Sequence, residues 1–380
     1  MKILQVLHKG SFNTGSVHQM FQLAMGLKNL GHNVIIMGRK STELEEKSRK
    51  NDIKFIGLPF KNELDIKTIF EVIKFLKKEK PDIIHLHKGL ELTIFWLSSF
   101  FVKNLNLVAN RGVSFPLRFY NSIKYRSKNV KGIICVCDYI KDIVIKSGKI
   151  KKEKVFTVYA GTDTELFDPK KENGKTLREE LNISMEDKVI CQVGLREWRG
   201  WRTAVEAFSF IRREEKNTKL LLVGAKDENL IREVLEYGRK FKVEKDIIVL
   251  GYRKDNVRIA AVQDIAIDLS YEGVGITGTL REALAMEKPV VAADVGGNKE
   301  LVLDGVVGFL VPPKDPKKSS EAILKILRDK DLSLKFGKNG RERVQKYFSS
   351  NVRIKNIEKI YQKILENSLI TQVKKYKTKN

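Results

Sequence analysis

Short apolar runs alternate along this chain with longer stretches in which apolar residues recur every three or four positions. The first kind suits strands buried on both faces, and the second suits helices that cover a sheet. ILQVL at 3–7 predicts a strand, and Met20, Phe21, Leu23, Ala24, Leu27 and Leu30 follow at helical spacing. Gly31 is placed to stop that helix, and NVIIMG opens a second strand. FIGL, DIIHLH, LVAN, GIICVC and VFTVYAG continue the series. The pattern then restarts. KVICQVG at 188–194 reads as a new first strand, followed by a helix over 201–214. KLLLVG, DIIVLG, DIAIDLS, PVVAADVG and VGFLVP come next, with helices between them. The expectation is an α/β protein of two doubly wound units in tandem, joined by the polar segment 168–188. Helical spacing returns at 352–369, before a basic, polar end, TQVKKYKTKN. Ligands of such sheets bind at the carboxyl ends of the strands, so a site in a cleft between the two units is expected.

Composition fits this picture. The chain has 380 residues, 42% hydrophobic and 31% charged, enough for two cores and unlike a disordered segment. The most apolar run, Leu92 to Val102, falls short of the ~18 residues that a membrane-spanning helix needs. His8 and Lys9 interrupt the first apolar stretch before it could serve as a signal-peptide core, so a cytoplasmic location is expected. Cys135, Cys137 and Cys191 are odd in number and lack metal-site spacing. Cys135 and Cys137 lie in the apolar run KGIICVC, where a buried structural role is expected. The net charge of +25 favours polyanions: nucleic acid, acidic lipid or phosphorylated substrates. The basic residues are spread along the chain, and no nucleic-acid-binding motif accompanies them, so nucleic acid is not expected as a partner.

Four stretches carry candidate chemistry. HKGSFNTGSVHQ links a strand to a helix, where phosphates meet free backbone N–H groups. Its Gly10–Gly15 spacing is that of a phosphate loop, but Ser16 and Val17 stand where the lysine and hydroxyl would be. Either the loop is a tight turn, or it approaches a ligand closely at Gly15 and Ser16. His85 and His87 share one face of a strand, and His87 lies near its carboxyl end. All five histidines fall within the first 87 residues, which leaves no His-based metal site in the second half. QVGLREWRGWRTAVEAF places Arg196, Arg199 and Arg202 about a strand-to-helix turn, where two cations can grip a diphosphate. Such charge-assisted bonds contribute roughly 1.5–3 kcal/mol each. Finally, DLSYEGVGITGTLREALAMEKPVVAADVGGNKELVLDGVVGFLVPP leads through a glycine-rich loop into a helix starting near Gly278 or Thr279. Its free N–H groups can receive a phosphate. Glu282, one turn in, and Glu272, in the loop, are carboxylates able to accept a ribose diol. A carboxylate also suits a helix N-terminus with no ligand present.

At this stretch the chain resembles the GT-B glycosyltransferases of family 4. The resemblance runs through TGSVHQMFQLAMGLKNLGHNV, DIIHLH, AGTDTELFDP, the Arg199–Gly200 turn and the block holding Gly296, Gly297, Glu300 and Gly308. It implies two Rossmann-like domains facing across a cleft. These would be an acceptor domain over 1–165, a nucleotide-sugar donor domain over 166–350, and a helix and basic tail over 351–380 crossing back to the first. It further implies transfer with retention of anomeric configuration and no metal or other cofactor, the nucleotide-diphosphate sugar being a substrate. By position, Arg196 and Arg199 would hold the diphosphate, with Arg199 where the family usually has Lys. Glu282 would bind the ribose, and the backbone at Thr279 and Leu280 would meet the phosphates beside Gly278. Two departures stand out. The family's Glu-x7-Glu spacing would put the first carboxylate at position 274, where Val274 stands; Glu272 lies ten residues before Glu282. The family's N-domain His is absent from VANRGVSFPLRF, leaving Arg111 or His87 for its work.

The expected partners are a nucleotide sugar and a saccharide or cell-envelope glycolipid acceptor. GLELTIFWLSSFFVKNLN is apolar, and FPLRFYNSIKYRSKNVK at 115–131 interleaves aromatic and basic residues. That mix suits an anionic membrane surface on the inner face as well as a core helix followed by a solvated basic one. A nucleotide-sugar epimerase, a phosphorylase or a non-catalytic nucleotide-sugar-binding module on the same fold are the alternatives.

Overall fold

Parallel strands whose residues are apolar on both faces must be covered on both sides, and the chain does this twice. The structure, a computed structural model, describes residues 1–272 and 275–377. It divides into two compact units, Met1–Gly161 together with the segment from Ser350, and Thr162–Ser349. The first unit contains β1 (Lys2–Val6), β2 (Asn33–Arg39), β3 (Lys54–Leu58), β4 (Ile83–Leu86), β5 (Leu107–Arg111), β6 (Val130–Cys135) and β7 (Val155–Thr157). They form one parallel sheet in the order β3-β2-β1-β4-β5-β6-β7. The second contains β8 (Lys188–Val193), β9 (Thr218–Ala225), β10 (Ile247–Gly251), β11 (Ile265–Asp268), β12 (Val290–Ala293) and β13 (Gly308–Val311). Their order is β10-β9-β8-β11-β12-β13, again parallel. Each unit is Rossmann-like, as expected of the α/β fold.

In the first unit, β1 sits in register between β2 and β4, with Ile3 opposite Val34 on one side and Ile83 on the other. The helix Gly15–Asn29 buries Val17, Met20, Leu23, Ala24 and Leu27. The helix Ser350–Lys377 adds Ile354, Ile357, Ile360, Tyr361 and Ile364 to the same core. A Cβ at Gly26 would stand 2.2 Å from the Ile354 side chain, so the missing side chain admits this helix. Arg353 completes the anchor by donating to the Gln19 carbonyl at 2.8 Å.

In the second unit, the helix Trp201–Glu214, at the bounds its pattern predicts, packs Trp201, Ala204, Val205, Phe208 and Ile211 against Leu220 and Leu222. The segment read as a polar joint belongs to this unit. It forms the helix Lys175–Glu180, buries Leu177, and lodges Arg178 against Asp264 at 2.8 Å. The break between units lies at 161/162 rather than 165/166, and the segment from Ser350 packs into the first core, in line with the expected crossing back to the first domain. Cys135, Cys137 and Cys191 are buried thiols outside any disulfide, and burial pushes Cys135 and Cys191 up to about 12. Among the described residues no helix is long and apolar enough to cross a membrane.

Candidate active site

In a doubly wound sheet, the strand order reverses at one point, and the loops leaving there open a crevice at the carboxyl edge. In the second sheet that point lies between β8 and β11. The loop after β8 carries Arg196 and Arg199, and the loop after β11 carries Glu272 and leads to the helix Gly278–Ala285. Backbone ties the two loops together, with Tyr271 N donating to the Trp198 carbonyl at 3.0 Å. Gly200 closes the first turn at φ +73°, and a Cβ there would strike the Leu269 carbonyl oxygen at 2.0 Å, so only glycine fits.

The two arginines differ in standing. Arg199 is 12% exposed and pairs through Nη1 with Asp268 Oδ2 at 3.1 Å. Its Nη2 donates to the Val193 carbonyl at 2.9 Å, while Gln192 Nε2 donates to the Arg199 carbonyl at 2.9 Å. Asp268, the last residue of β11, is 1% exposed and accepts from the Ser270 hydroxyl. The guanidinium expected to grip a diphosphate is thus already clamped across the switch point. Arg196 is exposed, lies 5.8 Å from the Trp198 ring centroid, and makes no ion pair among the described residues. Arg202 is taken up by two carboxylates, bonded to Glu197 at 3.1 Å and to Glu233, and packs over Trp201.

The helix Gly278–Ala285 begins where the glycine-rich loop predicts. Its cap residue Thr277 makes no side-chain cap bond, and the buried Thr277 Oγ1 has no partner. The Leu280 side chain is buried, whereas Gly278 and Thr279 are partly exposed. Glu282 folds back along the helix, so that its Oε1 lies 3.4 Å from where a Gly278 Cβ would be. Burial raises the Glu282 carboxyl above the usual carboxylate range, and Arg281 beside it opposes the rise. Arg281 is itself buried, donates to Thr162 Oγ1 at 3.1 Å, and is pulled down to about 10 by burial. Glu272 is exposed; Val274, the position of the shifted carboxylate spacing, lies outside the described residues. Sequence reasoning missed Arg281 and Asp268. Asp268 left a signal, a lone acid ending the apolar run IAID.

In the first sheet the reversal falls between β1 and β4. Gly15 and Ser16 open the helix after β1, and a Cβ at Gly15 would meet nothing within 4 Å, so packing does not require glycine there. His87 does not reach this edge. It is 5% exposed, bonded through Nε2 to Gln5 Oε1 at 2.7 Å and stacked on His85 at 4.2 Å. Burial, with His85 nearby, holds it neutral, well below the ordinary histidine value. The expectation of a catalytic His87 is therefore corrected: its side chain turns into the layer filled by Tyr361. Arg111 ends β5 and donates Nη2 to the Phe115 carbonyl, bracing its own loop. What the edge does hold is His8, whose Nδ1 lies 2.7 Å from Glu91 Oε1. Glu91 sits in the first turn of the helix Gly89–Ser98 and is fully buried. Its signal was a single acid within GLELTIFW.

Comparison with known families decides the class. The family described as "Glycosyl transferases group 1" matches residues 173–343, and "Glycosyltransferase Family 4" matches 14–166, so each unit carries its own match. The chain belongs to the group 1 glycosyltransferases. Over 85% of its length this glycosyltransferase is 26% identical to a capsular polysaccharide biosynthesis glycosyltransferase, CapM, of Staphylococcus aureus, covering 88% of that protein. It is 25% identical over 78% of its length to the UDP-Gal:alpha-D-GlcNAc-diphosphoundecaprenol alpha-1,3-galactosyltransferase of Escherichia coli, covering 79% of it. Its fold matches a glycosyltransferase of Rickettsia africae at TM-score 0.86 with 24% identity, covering 96% of this chain and 98% of that one. HepE of Anabaena, solved in complex with UDP, matches at TM-score 0.83 with 19% identity, covering 96% of this glycosyltransferase and all of HepE.

Proposed function

We propose that this glycosyltransferase moves a sugar from a nucleotide-diphosphate donor to a hydroxyl of a saccharide or glycolipid, with retention of configuration and without a metal. One observation carries the reading. Arg196, Arg199 and the uncapped start of the helix Gly278–Ala285 all border one switch point of the second sheet. As the donor bond breaks, negative charge grows on the diphosphate. Fixed positive groups aimed at that charge stabilise it without reorganising. Arg196, exposed and without an ion pair among the described residues, supplies the mobile cation; Arg199, held by Asp268, supplies a preset one. Glu282, once ionised, accepts the ribose diol. In this reading the acceptor hydroxyl attacks on the face from which the diphosphate departs, and the departing phosphate takes its proton.

A UDP-sugar donor is supported by HepE, whose solved complexes hold UDP and UDP-glucose. A cell-envelope acceptor is supported by the names of CapM and the E. coli galactosyltransferase. A cytoplasmic protein peripheral on an anionic membrane is supported by the surface of the first unit. Phe115, Phe119, Tyr120 and Ile123 are exposed beside Arg118, Arg126 and Lys128, in a stretch with no acid. Leu64, Ile66 and Phe70 are exposed at the start of the helix Ile66–Glu79, and Lys124 reaches Glu63 at 3.6 Å between the two groups.

The decisive experiment is a thermal-shift panel of UDP-, GDP- and ADP-sugars, followed by turnover of any stabilising donor in excess EDTA. Arg196→Ala should cut turnover at least about tenfold, the loss of one charge-assisted bond, with Tm unchanged. Unchanged turnover rejects the assignment of Arg196, and a requirement for added metal rejects the metal-free reading. Sedimentation with vesicles that differ only in anionic lipid tests the membrane claim; equal binding to both removes it.

A further inference from the structure

We propose that His8 and Glu91 form a hydroxyl-binding site in the first unit, with His8 Nε2 accepting a hydrogen bond from the saccharide acceptor. The naming of that hydroxyl as the acceptor's rests on the transferase reading; the site itself does not. His8 lies two residues beyond β1, and Glu91 lies in the first turn of the helix that follows β4. These strands are neighbours at the point where the sheet order reverses, where a doubly wound unit takes its ligand.

The chemistry at this point is built rather than incidental. Glu91 is 0% exposed in a helix otherwise rich in Leu, Ile, Phe and Trp, where an apolar side chain would pack without desolvating a carboxylate. Its Oε1 receives two bonds from one residue, His8 N at 2.6 Å and the ring Nδ1 at 2.7 Å, while Oε2 has no partner. In the neutral ring, a carboxylate held against Nδ1 places the single proton there and leaves the lone pair on Nε2. The His8 side chain is 17% exposed, and Nε2 has no partner among the described residues. His85 and His87, by contrast, have rings closed into the core. His8 is thus an oriented acceptor at the edge, and Glu91 positions it. Such a nitrogen fits an O–H group of a polyol.

Two measurements test this with the full chain. The first is NMR of the imidazole nitrogens of His8 while octyl glycosides of glucose, galactose and N-acetylglucosamine are added. The free protein should show a ring protonated at Nδ1, and at least one glycoside should move the Nε2 resonance. Neither depends on turnover, so the result stands even if the donor panel fails and takes the transferase reading with it. The second is His8→Asn, whose side-chain N–H can replace Nδ1 toward Glu91 but offers nothing in place of Nε2. With a donor found by the panel, KM for the responding glycoside should rise about tenfold, the loss of one hydrogen bond. Tm and the donor-induced rise in Tm should stay as in the wild type. An Nε2 resonance that no glycoside moves, or an unchanged acceptor KM in His8→Asn, overturns the proposal. Glu91→Gln separates positioning from packing: the His8 nitrogens should partly exchange protonation. If they do not, Glu91 has no orienting role and the dyad fails.

Discussion

Arg199 and Asp268 show how one residue can serve the fold and the site together. Removing the guanidinium leaves Asp268, 1% exposed, without its charge partner. Stranding a buried charge in this way costs about 3–5 kcal/mol. Arg199→Ala should therefore lower the urea midpoint strongly, whereas Arg196→Ala at the exposed neighbour should stay within about 0.5 kcal/mol of wild type. Equal stabilities would mean that the Arg199 pair contributes nothing. Glu282 makes the opposite prediction. Its folded carboxyl is raised by burial, so the folded state binds the proton more tightly than the unfolded one. The cost of ionising it is full above the raised value and fades as pH falls through the usual glutamate range. Glu282→Gln should thus raise Tm at neutral pH and lose that advantage in acid, while weakening donor binding. The sequence announced these residues as cations and carboxylates about a turn. It could not announce which cation is taken, because Asp268 joins Arg199 only once β8 and β11 lie side by side.

Among the elements, strands and helices were legible wherever the apolar period was sustained. The helix over 201–214 needed no correction, and β8 was misplaced by a single residue. Legibility failed where few apolar residues carry the signal. The stretch 168–188 reads as solvent-facing, yet Leu177 and the buried Arg178 fold it onto the second sheet. It failed again at β4, where strand period puts His85 and His87 on one face but does not say what covers that face. Tyr361 of the helix Ser350–Lys377 does, with its hydroxyl 2.6 Å from His85 Nδ1 and 3.2 Å from Gln5 Nε2. Both imidazoles are held neutral by burial, His85 down at about 3 from an ordinary 6.5. A histidine depressed on folding contributes stability that is full above its unfolded value and is lost as pH falls toward the folded one. The urea midpoint should therefore drop as pH is lowered from 6.5 toward 3, and drop less in His85→Gln. A parallel decline in both proteins would place the acid sensitivity elsewhere.

For the whole molecule, the last helix decides whether the first unit folds. Ile354, Ile357, Ile360, Tyr361 and Ile364 are buried in that unit's core. Each such side chain is worth roughly 1.5–3 kcal/mol, so together they approach the about 5–15 kcal/mol that holds a typical domain together. A chain ending at residue 349 should lose the first unit's circular-dichroism melt and its resistance to protease, while 162–349 stays protected. A protected first unit would contradict this. The same connectivity has another consequence. Thr162 N bonds the Phe348 carbonyl at 2.8 Å, and a Cβ on Gly161 would sit 2.7 Å from Ser350 Cα. The second unit is thus a guest spliced into its host through two adjacent seams. Cutting both seams would free 162–349 as one continuous piece, and a short splice from 161 to 350 would reseal the host. The donor site proposed for the second unit and the acceptor site proposed for the first could then be assayed on separate molecules made from this one gene.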